Sequence, residues 1–325
     1  MYSNSLISNQ IQFWLFLIAF IPSVACSIFV LYHLLSNRTQ RNAINNRVII
    51  VLISNNLIYE LIDIPLFLNY YRLEAVWPNT SSLCLMWIFI DEALYSISTV
   101  VLAWASIERH ILIFHNGWWS STRRRRLIHF IPLVSLIFYI IIFHTVTILL
   151  PLCENTYDYT QELCGQKICF HNTKIVGTWD SIMNNILPTL TIVGFSIALL
   201  VRVLLQNSRM HQHIQWRKHR KMTIQLLSIS ILYSLLYIPI MCIALAQICC
   251  ISQDVGDNFL QYGRFFSYYV IFLLPFVCFI TLSKCSCKFR NIFPHWHRPA
   301  RFIHPMPLSM MPVAVERSNI IKTIT

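Results

Sequence analysis

Glycine is scarce in this chain, with six residues in 325, about 2% where about 7% is usual. Phosphate-cradling loops and the Gly-broken helices of many transporters need more than that. Charge is equally thin. Asp, Glu, Lys and Arg make up 12% of the residues, half the roughly 25% of a soluble domain. The shortage falls on the acids, 13 of them against 25 Lys and Arg. These shortages exclude a disordered chain, a nucleic-acid-binding domain and an ordinary soluble enzyme. No nucleic-acid partner is expected. Apolar surface is plentiful instead: 56% of the residues are hydrophobic and the mean hydropathy is +0.57. A multi-spanning membrane protein follows.

A bilayer core about 30 Å thick needs roughly 20 mostly apolar residues per helix. Seven stretches qualify, at about Ile11 to Leu35, Val48 to Tyr71, Leu83 to Phe114, Leu127 to Leu150, Trp179 to Leu205, Thr223 to Ile248 and Tyr262 to Leu282. The fold class is therefore an all-α membrane protein, a bundle of seven transmembrane helices. Pro65, Pro132, Pro188, Pro239 and Pro275 fall inside the stretches. In lipid each predicts a kink rather than a break, because neighbouring helices satisfy the freed carbonyls. The first stretch is far longer than the apolar core of a signal peptide and no Lys or Arg precedes it, so it reads as an uncleaved helix.

Lys and Arg set the orientation. Arg38, Arg41 and Arg47 follow the first stretch, Arg109 and Arg123 to Arg126 the third, and Arg202, Arg209, Arg217, Lys218, Arg220 and Lys221 the fifth. With seven more beyond the last stretch, 21 of the 25 basic residues share one side, which must be cytoplasmic. Residues 1–10 are then an extracellular N-terminus, 11–282 the helical domain and 295–325 a cytoplasmic tail, expected to be disordered. Contact with anionic membrane lipids accounts for most of this basic charge, and a cytoplasmic protein partner is the alternative use for it.

Of eleven cysteines, Cys84, Cys153, Cys164, Cys169, Cys249 and Cys250 lie on the outer side, where disulfides persist. A bridge from Cys84 to the loop between the fourth and fifth stretches would pin that loop over the mouth of the bundle. Three cysteines there are candidate partners, and spacing alone does not choose among them. Cys285 and Cys287 sit just inside the last stretch among basic residues. They are either palmitoylated or plain thiols. Asn79-Thr80-Ser81 is an outer-side glycosylation sequon. Histidines 211, 213, 219, 295 and 297 form no closed ligand set and read as solvated, so neither a metal nor a cofactor is expected.

The third stretch ends in Glu108-Arg109-His110, with Arg109 placed 25 residues after Cys84. In this the chain resembles the rhodopsin-like (class A) G-protein-coupled receptors, whose third helix opens on a bridged Cys and ends in Asp/Glu-Arg-Tyr. Pro188, Pro239 and Pro275 match the family's prolines in helices five to seven, and 283–294 looks like its short amphipathic eighth helix. The resemblance covers about Ile11 to Arg290. It implies a receptor, not an enzyme, in the plasma membrane, with Glu108, Arg109 and His110 contacting a heterotrimeric G protein. By the family's loop spacing it also implies a Cys84–Cys169 disulfide, leaving Cys153 and Cys164 to close a small loop.

The chain departs from the family in several places. Asn56 stands where an Asp usually binds sodium, and Ser27 replaces an Asn in the first helix. Tyr237 takes the place of the sixth-helix Trp. The seventh-helix Asn-Pro-x-x-Tyr reads Leu274-Pro275-Phe276-Val277-Cys278, and His219 replaces an acid that often holds the Arg at rest. These changes mark a divergent member.

Charges inside a membrane span are costly and usually functional. Glu60, Asp63, Asp91 and Glu92 are the four such acids. Asp91 precedes Arg109 by 18 residues, five helical turns, and so shares its helix face. The resemblance implies that Asp91 pairs with a ligand ammonium, that Tyr268 hydrogen-bonds it, and that Asp180, Ser181 and Asn184 line the fifth-helix wall near Tyr237. A pairing of Asp91 with Arg264 is the structural alternative. Ile240-Met241 replaces the aromatic pair of monoamine receptors, so an amine and a basic peptide stand as equal ligand classes. The last stretch has no Lys to carry retinal. A transporter or channel is the alternative class. It would need inverted repeats or a polar pore ring, and the two halves show no internal similarity.

Overall fold

The computed structural model describes residues 8–38, 41, 44–114, 122–150, 155–165, 174–208, 213–249 and 257–281. The chain divides into two units, Met1–Ser286 and Cys287–Thr325. The second unit, the amphipathic segment 283–294 and the tail lie outside the described residues, and so do Cys169, Cys285 and Cys287.

Among the described residues seven helices are long and apolar enough to cross a membrane: Asn9–Ser36, Asn46–Leu73, Ser81–Ile111, Phe130–Leu149, Ile175–Val201, Gln225–Ile243 and Tyr262–Ile280. The third helix is the hub of the bundle and packs against the second, fourth, fifth and sixth. The first helix closes the bundle against the second and seventh. Long apolar side chains such as Ile18, Tyr32, Phe138, Leu190, Leu235 and Ile280 point outward, as a lipid-facing surface requires.

Proline acts as the sequence predicts: Pro22, Pro65, Pro132, Pro239 and Pro275 lie inside continuous helices. Ahead of Pro188 the fifth helix widens into a π-turn over Ser181–Ile186, and the Leu187 N–H reaches back to the Ile182 carbonyl. The wider turn makes room for a ring that would otherwise clash with the carbonyl four residues earlier.

The seventh span differs from the continuous helix expected. It is two pieces, Asp257–Ser267 and Tyr269–Thr281, interrupted at Tyr268. The Ser267 hydroxyl donates to the Arg264 carbonyl at 2.6 Å, and the Ile271 N–H bonds the Tyr268 carbonyl at 3.0 Å. A serine that bonds back onto its own helix competes with the regular ladder. The break thus falls seven residues before the proline that sequence reasoning would blame.

Among the described residues two large apolar cores result, with a small third one around Ile88 and Ile148. The inner one gathers Val30, Leu34, Leu52, Ile53, Val101, Leu102, Ile229 and Leu274. The outer one is aromatic, built on Phe16, Phe67, Tyr71, Trp87, Phe265 and Phe272. Phe16 stacks on Phe265 with ring centroids 4.8 Å apart. Between these cores runs a polar layer.

Candidate functional site

Asn56, Tyr59, Glu60 and Asp63 follow one another at steps of three, one and three residues, which puts them on one stripe of the second helix. All four are buried, at 8% exposure or less. In a bilayer such groups must find partners within the protein. Glu60 is the centre of the inner part. It accepts from the hydroxyls of Ser23 and Ser27, the latter at 3.0 Å, and from Asn56 Nδ2 at 3.1 Å. Ser23 Oγ also lies 3.0 Å from the Phe272 carbonyl. Asn56 Nδ2 donates to the Ile271 carbonyl at 3.1 Å, the group left without its helical donor because Pro275 has no N–H. Asn55 turns the other way, donating to Ser98 Oγ at 2.7 Å and to the Leu94 carbonyl at 2.9 Å. Helices one, two, three and seven are thus laced together by polar contacts.

One helical turn further out lies Asp91. The hydroxyls of Tyr59 and Tyr268 both donate to its Oδ1, the latter at 2.9 Å. Arg264 adds electrostatic attraction, while the hydrogen bonds come from the two tyrosines. Asp63 accepts from Trp87 Nε1 at 2.8 Å through Oδ1. The sequence pointed to Asp91 and Tyr268; it passed over Tyr59 and Trp87 and left Asp63 without a role. The three-four spacing of the second-helix stripe was the signal that marked two of these three.

On the fifth helix, Asn184 Nδ2 donates to Asp180 Oδ1 at 2.7 Å, and both residues are buried. Ser181 opens the π-turn and is half-buried. Asp180 lies within electrostatic reach of Glu92, the third-helix neighbour of Asp91. Tyr237 packs on Tyr95 and Tyr233, with ring centroids 5.2 and 5.5 Å away. The sixth-helix position thus belongs to a tyrosine stack across helices three and six.

At the inner end of the third helix Glu108 and Arg109 are 1% and 5% exposed. Glu108 acts on Arg109 electrostatically. The His110 ring sits edge-on to Phe195 of the fifth helix at 5.4 Å.

The outer loop corrects the expected disulfide. Cys84 is bridged to Cys164, with Cα atoms 5.8 Å apart, and not to Cys169. Cys164 is therefore not free to pair with Cys153. A compact knot places Cys164 there. Asp158 accepts from the Thr160 N–H and hydroxyl and from Gln161 Nε2, and its own N–H donates to the Cys164 carbonyl. Leu163, Cys164 and Gly165 all take left-handed backbone angles, with φ of 49°, 53° and 79°. For the two non-glycine residues this costs about 1–2 kcal/mol each, offset by the disulfide, the Asp158 bonds and the burial of Leu163. The knot docks on the end of the second helix and the loop after it: the Val76 N–H of that loop bonds the Tyr159 carbonyl at 2.8 Å and the Tyr70 hydroxyl of the helix the Thr160 carbonyl at 3.1 Å. Burial beneath it raises the pKa of Glu162, opposed by the Arg264 charge and the Tyr71 hydroxyl. Asn79 lies exposed beside this face.

Comparison with known proteins agrees with this arrangement. The model of the family described as 7 transmembrane receptor (rhodopsin family) matches residues 26–278. The fold is similar to that of squid rhodopsin, with a TM-score of 0.62 over 89% of this chain and 87% of that one, at 17% sequence identity. At that identity the likeness speaks for the fold alone. No curated protein matches the chain by sequence.

Proposed function

The chain belongs to the rhodopsin family of seven-transmembrane receptors, and on that premise we propose that it carries a signal from an extracellular cationic ligand to a cytoplasmic heterotrimeric G protein. The observation that carries the ligand half is Asp91, a buried carboxylate whose Oδ1 is held by Tyr59 and Tyr268. A fixed anion among aromatic rings attracts an ammonium or guanidinium group, and its low-dielectric surroundings strengthen the pairing. An amine and a basic peptide both present such a group. Asp180, Ser181, Asn184 and Tyr237 form the opposite wall of this proposed site.

The break at Tyr268 supplies the coupling. A ligand cation that draws Asp91 toward itself pulls on Tyr268 where the seventh helix lacks a continuous hydrogen-bond ladder. Movement there reaches the sixth helix, which packs on both pieces of the seventh. As the sixth helix moves, Glu108, Arg109 and His110 become available to the G protein. In this reading the chain sits in the plasma membrane with its N-terminus outside, Asn79 glycosylated and Cys285 and Cys287 palmitoylated.

The test is G-protein activation in cells for the native chain, Asp91→Asn and Arg109→Ala, across amines and basic peptides. A response lost in both variants at equal surface expression is expected. A response that survives Asp91→Asn would remove the ligand assignment, and one that survives Arg109→Ala the coupling assignment.

A further inference from the structure

Asp63 is fully buried, and only one of its carboxylate oxygens is accounted for. Oδ1 accepts from Trp87 Nε1; among the described residues Oδ2 has no hydrogen-bond partner. A buried carboxylate oxygen without a donor carries a desolvation cost of several kcal/mol, which a bound proton relieves and which a positive charge relieves equally where something supplies one. The surroundings do not. The charge that acts on Asp63 is that of Asp91, another acid. Both hydroxyls that reach Asp91, on the third helix, converge on its Oδ1, and the same tyrosines feel the charge of Asp63 and Asp91 across the gap between the two helices.

The walls are aromatic. Phe67, one turn beyond Asp63, lies 4.7 Å from the Tyr268 ring and 5.1 Å from the Trp87 ring between centroids. Tyr59 lies 6.2 Å from Tyr268. A hydrated metal ion is a poor occupant: the walls offer rings instead of oxygens, and the described residues contain no group of three or more His, Cys, Asp or Glu able to hold one. A single ammonium satisfies one carboxylate as a point charge. A guanidinium is planar, weakly hydrated, stacks on aromatic faces and presents donors on two edges. It suits two acids set among aromatic rings.

The geometry points to a second anionic subsite at Asp63, between helices two, three and seven, that together with Asp91 takes a guanidinium group of the ligand. The subsite rests on the reading of Asp91 as the ligand anchor and narrows the ligand to an arginine-like one. Entry passes Tyr268, where the seventh helix is already interrupted.

Thermal unfolding of the full chain in lipid nanodiscs tests it, with agmatine as the guanidinium probe and butylamine as the monoamine. Agmatine is expected to protect the native chain at lower concentration than butylamine. In Asp63→Asn that preference disappears, the apparent affinity for agmatine falling on the order of 10-fold or more while butylamine protection stays. Asp91→Asn is expected to lose both. Because Asn still accepts from Trp87, unliganded Asp63→Asn should melt no lower than the native chain. Asp63→Glu should keep part of the preference. An unchanged agmatine preference in Asp63→Asn, a lower melting point of that variant without ligand, or no preference in the native chain would each overturn the subsite and leave the Asp91 reading standing. Failure of both probes to protect the native chain would defeat both.

Discussion

Removing the Cys84–Cys164 bridge offers the sharpest check on the outer architecture. The two cysteines are 80 residues apart, and a cross-link closing a loop of that length restricts the unfolded chain by up to about 4.5 kcal/mol. The full amount is not expected. Most of the third helix and all of the fourth lie between the cysteines, and they stay inserted when tertiary packing is lost, so the unfolded chain is already restrained. A loss nearer 2 kcal/mol follows, at the low end of the usual range, or roughly 4–8 °C in melting temperature for a domain of this size. Cys84→Ala and Cys164→Ala should each show it, and the double variant should lose no more than either alone, since one bond is removed in all three. Cys169→Ala should leave the melting point unchanged. The assay is thermal unfolding of purified protein in nanodiscs, with non-reducing peptide mapping to identify the bond. If Cys169→Ala matched Cys84→Ala while Cys164→Ala was silent, the Asp158 knot would not be what positions the bridge, and the outer-loop argument would fall.

Other outcomes follow from the same contacts. Asn56→Leu removes the donor to the Ile271 carbonyl and should cost about 1–3 kcal/mol. Adding Pro275→Ala restores a backbone N–H to that carbonyl and should recover part of the loss, visible as non-additive melting shifts. Gly165→Ala places a Cβ 3.1 Å from Asp158 Cβ at a φ of 79° and should loosen the knot by about 1–2 kcal/mol, read as faster hydrogen exchange over residues 155–165; unchanged exchange would refute it. Glu162 gives a pH dependence. Its folded pKa is raised above the ordinary 4.5, so the folded chain holds the proton more tightly than the unfolded one. Stability from this group is full below about the ordinary Glu range and is lost as pH climbs from there through the raised value. Glu162→Gln should flatten that slope in melting curves taken across pH, and an unaltered slope would show that the group is not buried in solution.

Length, hydropathy and the Lys/Arg asymmetry are one-dimensional properties, and the bilayer reads them as such. A run of about 20 apolar residues must become a helix because lipid offers its backbone no other hydrogen-bond partners. The seven spans were therefore legible without a structure, and the spacing of Cys84, Glu108-Arg109 and the prolines identified the family. Asp91 and Tyr268 could be paired in advance because helical periodicity and the family's pattern both constrain them. The partners of Asp63 and Glu60 could not. Trp87, Ser23 and Ser27 belong to other helices, and which side chains meet across a bundle depends on rotation and tilt that no local pattern encodes. The break at Tyr268 follows the same logic: Pro275 stays inside a helix, its freed carbonyl taken up by Asn56 from another helix, and the interruption falls where Ser267 bonds back onto Arg264. Cys164 was chosen over Cys169 by the left-handed turn that Asp158 ties. Sequence alone determined that this chain has seven helices long and apolar enough to cross a membrane, because solvent and lipid act on residues one at a time. Only the tertiary structure decided which side chains satisfy the buried acids and which carboxylate oxygen is left without a donor among the described residues, because a hydrogen bond is a relation between two places in the fold.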